Sequence, residues 1–167
     1  MGFSSDRENS VSHDPSTSPA LDFVHSAIPI TSIGILPMSL DHLAQRALQA
    51  REKAYAPYSK YRVGAALETA DGTIIIGTNV ENASYGLTVC AERVAVFTAV
   101  AQGHREFKAI AVATGNGGSP CGACRQVLRE FAPSLPIAIV DAPGTYREVS
   151  LAELFPDSFG PESLGTS

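Results

Sequence analysis

Two stretches hold the residues best suited to chemistry: Thr-Val-Cys-Ala-Glu-Arg-Val at 88–94 and Ser-Pro-Cys-Gly-Ala-Cys-Arg-Gln at 119–126. Between them they use every cysteine of the chain, Cys90, Cys121 and Cys124. A structural zinc site takes four protein ligands, whereas a catalytic one takes three and leaves the fourth position to water. Three thiols without a fourth therefore point to an open site. Glu92 lies two residues after Cys90, too close along the chain to join it easily on the same ion. It can project beside the metal instead, where a general base for an activated water belongs. A lone Cys-x-x-Cys is common to redox motifs and structural zinc sites. A Cys-x-Glu followed downstream by Pro-Cys-x-x-Cys is far more specific.

Three thiolates give a zinc centre net negative charge and make it a weaker Lewis acid. Two features of the sequence can offset this. Cys90 and the Cys121/Cys124 pair fall at predicted helix N-termini, where N–H groups and the helix dipole favour negative charge. Arg93 can also donate a hydrogen bond to a ligating sulfur.

The elements that must position these residues are legible in outline. Leu40, Leu43, Ala44, Ala47 and Leu48 share one face of a helix that Ser39 can cap and that should stop near Tyr55, before Pro57. Strand-like runs at 63–69 and 73–80 join through Ala70-Asp71-Gly72, a hairpin signal. A loop then leads to a second helix at about 90–102, which Gly103 ends. A strand at 107–114, a helix at 122–131, strands at 136–141 and 146–150, and a helical turn at 151–155 complete the order. That order predicts an α/β fold, a three-layer α-β-α sandwich with a mixed, about five-stranded sheet. Both cysteine stretches become strand–loop–helix junctions gathered at one end of the sheet.

Composition narrows the class. The 167 residues are 44% hydrophobic and 17% charged, enough for one domain with a core. Residues 1–37 read as a flexible N-terminal tail, polar and Pro/Ser-rich over 4–19, and 38–167 as the folded domain. Met38 is a candidate natural start. A formal charge of −5 and no Lys/Arg cluster argue against a nucleic-acid surface. No apolar run is long enough to span a membrane, and no secretory signal is recognisable. Cysteines laid out as ligands rather than as a disulfide framework suit a reducing, cytoplasmic compartment.

Further runs join the two stretches: Tyr-Ser-Lys-Tyr-Arg-Val-Gly-Ala-Ala-Leu at 58–67, Asn-Val-Glu-Asn-Ala at 79–83 and Phe-Gly-Pro at 159–161. Together with Cys-Ala-Glu-Arg at 90–93 and Pro-Cys-Gly-Ala-Cys-Arg-Gln at 120–126, they make 40–164 resemble the small, homotetrameric cytidine deaminases. The resemblance implies one zinc ion per subunit on Cys90, Cys121 and Cys124, with Glu92 as proton shuttle. It implies hydrolysis of cytidine and 2′-deoxycytidine to the uridines with release of ammonia, a pyrimidine-salvage reaction. Asn79 and Glu81 match a pair that binds the ribose 3′-hydroxyl. The Ala91 N–H matches a donor to the pyrimidine carbonyl, and the Ser119 carbonyl an acceptor near the leaving amino group. Phe159 matches an aromatic given to a neighbouring subunit's pocket, and Tyr85 is similarly placed in its loop. Tyr61 stands where many relatives have Phe as a stacking wall; its extra hydroxyl needs a partner.

Plainer readings exist for each residue. Cysteine is often a small buried hydrophobe, Arg93 a structural ion pair, Asn79 a strand end and Glu81 a solvated loop carboxylate. Tyr55 can pack the first helix on the sheet, and Phe159 can cover its own subunit's core. His13, His25, His42 and His104 lie in no motif. Two alternatives to a cytidine deaminase follow: a deaminase of a modified or antibiotic nucleoside or of a nucleic-acid base, and a non-catalytic zinc module. Asn79 and Glu81 argue against the first, and Glu92, which a structural site does not need, against the second.

Overall fold

The computed structural model describes residues 40–165. The expected tail, the start at Met38 and the cap at Ser39 lie outside them. Helix α1 spans Leu40–Arg51 and buries Leu43, Ala44, Ala47 and Ala50, the i, i+1, i+4, i+7 stripe of one helical face. Strands β1 (Gly64–Thr69) and β2 (Ile74–Thr78) form an antiparallel hairpin with Glu68 opposite Ile74. Helix α2 (Ala91–Ala101), strand β3 (Phe107–Ala113), helix α3 (Gly122–Phe131), strands β4 (Pro136–Val140) and β5 (Tyr146–Ser150), and the short helix α4 (Leu151–Leu154) follow.

The five strands lie in the order β2-β1-β3-β4-β5. Only the β3–β4 pair is parallel, and α3 makes its crossover. One face carries an apolar layer of Ala66, Ala111, Ala113, Ala138 and Val140 against Leu43, Ala44 and Ala47 of α1. The other joins Ala65, Leu67, Ile110, Val112 and Ile137 to Ala95, Val96 and Ala99 of α2 and Leu128 of α3. Every residue of β1 is buried because helices cover both its faces. The three-layer α/β sandwich is the architecture expected from the order of elements.

Register places the two cysteine stretches together. Gly64, at the start of β1, lies opposite both Thr78 at the end of β2 and Ala113 at the end of β3. The chain therefore leaves β2 toward α2, and β3 toward α3, from the same end of the sheet. Gly77 sets how closely α2 sits there. A Cβ at this position would lie 2.1 Å from the Ala91 carbonyl oxygen and 2.6 Å from the Ala95 nitrogen.

Two expectations need correction. Helix α1 stops at Arg51 rather than near Tyr55. Tyr55 is drawn into a parallel bridge with Val80 instead: its N–H donates to the Asn79 carbonyl (3.0 Å), and its carbonyl accepts from Glu81 N–H (2.8 Å). The Tyr55 side chain is 57% exposed, so it does not pack α1 onto the sheet.

Candidate metal centre and substrate pocket

The cysteines sit where helices begin. Cys90 is the extended N-cap of α2 and Cys121 that of α3, with Cys124 buried in the first turn of α3. Their three sulfurs lie within 4.8 Å of one another, Cys90 to Cys121 at 3.9 Å and Cys121 to Cys124 at 3.5 Å. Tetrahedral zinc with bonds of about 2.3 Å separates its sulfurs by ~3.8 Å, close to both of these distances, so the donor set suits the ion. Both first turns direct N–H groups that have no partner inside their own helix toward this region.

The electrostatics suit a site that gathers negative charge. The Cys90 thiol is lowered to about 5, first by its hydrogen bond with Cys124 and then by the Arg93 guanidinium. Arg93 Nη2 lies 3.6 Å from Cys90 Sγ and 3.4 Å from the Thr88 carbonyl oxygen. Its Nε is buried without a hydrogen-bond partner. The Cys124 thiol is pushed up by the same bond with Cys90, by burial and by the nearby Glu92 charge. Glu92 is 4% exposed, and burial, followed by the Cys90 charge, raises its pKa.

A cavity of about 300 Å³ opens on the cluster. Its walls bring together Cys90, Glu92, Cys121, Tyr61, Asn79, Glu81 and Ser119, all singled out from the sequence. Asn79 is buried, and its side chain spans the backbone opposite: Oδ1 accepts from Val63 N–H (2.8 Å) and Nδ2 donates to the Tyr61 carbonyl (2.9 Å). Glu81 accepts from Tyr58 N–H (2.8 Å), Ser59 N–H (3.2 Å) and the Ser59 hydroxyl. These bonds, the hydroxyl's first, hold its carboxyl below the usual range although it is only partly buried. Ala91 is fully buried as the first residue of α2.

An adjoining cavity of about 390 Å³ shares Ser59, Glu81 and Thr88 and adds Tyr58 and Tyr85. The two tyrosine rings meet edge to face at 5.8 Å. Phe159 is not among the walls of either cavity and is 56% exposed, so it does not cover its own core. Its carbonyl accepts from Gln126 Nε2 (3.0 Å), while Arg129 of α3 holds Ser158 and Glu162 on either side.

The zinc-binding region of the cytidine and deoxycytidylate deaminases matches residues 38–138, which contain the whole cluster. The chain belongs to this family. It is 48% identical over 130 residues to the cytidine deaminase of Sporosarcina psychrophila, covering 76% of this chain and 96% of that one. A cytidine deaminase of Mycobacterium tuberculosis is 44% identical over 124 residues, covering 73% and 90%. Among solved structures, the Burkholderia pseudomallei cytidine deaminase superposes with a TM-score of 0.70 at 50% identity, covering 73% of this chain and all of that one. Zinc is accordingly the metal of the fold, and hydrolytic deamination its chemistry.

Three supporting residues were not singled out from the sequence. Ser59 tethers Glu81. Arg125 donates from Nε to the Pro120 carbonyl (2.8 Å) and from Nη1 to the Leu154 carbonyl (2.6 Å), locking the turn before Cys121 onto α4. Asn116 accepts from the Tyr61 hydroxyl (2.9 Å). Arg125 lies next to a ligand cysteine and Ser59 within the run at 58–67, signals that were available; the asparagine stands in a loop with no pattern to mark it.

Proposed function

We propose that this chain deaminates cytidine and 2′-deoxycytidine to uridine and 2′-deoxyuridine, with Cys90, Cys121 and Cys124 holding zinc and Glu92 moving the protons. The observation that carries the reading is the buried carboxyl of Glu92 in a cavity walled by two of the sulfurs and by Tyr61, Asn79 and Glu81. When bound, zinc supplies an activated water that loses its proton near neutral pH. Glu92 takes up that proton, delivers it to N3 of the ring and so leaves C4 electrophilic. Once the water oxygen has bonded to C4, the same carboxyl takes the remaining hydroxyl proton and passes it to the amino group. The C4–N bond then breaks, ammonia leaves and the ring keeps a C4 carbonyl. Burial suits Glu92 to both tasks, because a raised pKa brings a carboxyl closer to the pH at which it must accept and donate.

The remaining walls bind and orient. The Tyr61 ring offers a face to the base, and the Ala91 N–H and Ser119 carbonyl match groups on the pyrimidine. Asn79 has one lone pair and one hydrogen left beyond its backbone bonds for a sugar hydroxyl. Glu81, held ionised, repels a substrate phosphate. Active sites completed by Phe159 and Tyr85 of neighbouring subunits in a homotetramer, and a cytoplasmic location, belong to the same reading. No described helix is long and apolar enough to cross a membrane.

A substrate panel tests it. Cytidine and 2′-deoxycytidine should each yield one ammonia per uridine formed. Cytidine monophosphate should be used at least tenfold less well in kcat/KM, the factor that about 1.4 kcal/mol of repulsion gives. Equal use of nucleoside and nucleotide would remove Glu81 from the argument. Release of ammonia from another cytosine compound alone would replace the substrate.

A further inference from the structure

We propose that Tyr61 and Asn116 form a clamp beside the pocket that sets the position of the 115–120 loop, and that this clamp requires glycine at 118. The inference rests on the deaminase reading, because the loop carries Ser119 and ends at Cys121. The Tyr61 hydroxyl donates to Asn116 Oδ1 at 2.9 Å. The same oxygen accepts from the Thr114 hydroxyl at 3.3 Å, and Thr114 Oγ1 accepts from Gly118 N–H at 2.7 Å. Thr114 is 2% exposed and directly follows β3, so this end of the chain of bonds is anchored in the sheet. At the other end, the Tyr61 carbonyl accepts from the buried Asn79, and its N–H donates to Ser59 Oγ at 3.0 Å. One continuous set of hydrogen bonds thus links the segment after β2 to the segment after β3.

Gly118 completes the arrangement. A Cβ there would lie 2.5 Å from the Tyr61 hydroxyl oxygen, inside any tolerable contact. Its next neighbours, Asn116 Oδ1 and Thr114 Oγ1, are at 3.6 Å, an ordinary van der Waals distance. The hydroxyl, as long as Asn116 holds it, therefore leaves no room for a side chain at 118. With that hydroxyl committed to Asn116, Tyr61 contributes its ring to the base and its oxygen to the loop. The oxygen is a positioning group and has no chemical task.

Steady-state kinetics on cytidine and thermal melts of the zinc-loaded protein test this in two arms. Tyr61→Phe and Asn116→Ala should each raise KM about three- to tenfold, the worth of one such hydrogen bond, with kcat changed less than about twofold. The double variant should be no worse than the poorer single one, since both remove the same link. Gly118→Ala should lower Tm and raise KM; adding Tyr61→Phe should restore Tm, with KM returning no further than that of Tyr61→Phe alone. Silent or additive single variants would overturn the clamp, as would Gly118→Ala lowering Tm equally with and without Tyr61→Phe. The melts need no turnover. A reversal of Tm in a chain that leaves cytidine untouched would sink the deaminase reading and keep the Tyr61–Gly118 dependence; turnover without the reversal would do the opposite.

Discussion

In the proposed reaction Glu92 accepts and releases a proton within one catalytic cycle, and its surroundings decide whether it can. Buried beside Cys90, it has little solvent to stabilise its charged form. Glu92→Gln keeps the shape and removes the proton carrier. Its kcat should fall by about 10²–10⁴ while zinc content and Tm stay near wild type; undiminished turnover would return the site to a binding role. We propose that Arg93 acts on the metal through the Cys90 sulfur. Losing its hydrogen bond to Cys90 should cost about 10–100-fold in zinc affinity with the fold retained, measured by chelator competition. Unchanged affinity would make Arg93 a packing residue. Both residues were legible in the sequence because they sit at fixed offsets from a ligand cysteine. Asn116 was not: an exposed asparagine in a glycine-rich loop looks like any turn residue until Tyr61 is seen against it.

Among the elements, helix α2 has an exacting position, since its N-terminus carries Cys90, Ala91 and Glu92 together. Gly77 lets that turn lie directly on β2. A methyl group there meets helix backbone, which cannot swing aside as a flexible side chain can. Gly77→Ala should therefore destabilise by about 1–3 kcal/mol and lose zinc along with stability, as read by melts and metal content. A stable, fully metallated variant would show that the turn tolerates displacement. Helix α3, strand β5 and the order of all the elements could be read from periodicity and turn residues. The end of α1 could not. No local breaker stands at Arg51, and what stops the helix is the pairing of Tyr55 with the chain beyond β2, a contact more than twenty residues away.

For the whole molecule, the sheet accounts for the cluster and the pocket within one chain, but it leaves Phe159 outward. The C-terminal segment is fixed to α3 through Gln126 and Arg129, so the backbone that carries the ring is held in place. If it completes a neighbour's site, inactive Glu92→Gln subunits refolded with Phe159→Ala subunits should regain more activity than either parent, because some mixed sites then hold both residues. No gain on mixing would keep Phe159 within its own subunit. Assembly of this kind left no mark in periodicity; it came from resemblance alone, since an exposed aromatic near a terminus has many uses.

The most direct test of the account is one assay: purified protein with cytidine, following the loss of cytosine absorbance before zinc chelation, after it and after zinc is restored. The account predicts conversion to uridine that disappears with the metal and returns with it. Folded, zinc-loaded protein that leaves cytidine unchanged would contradict it.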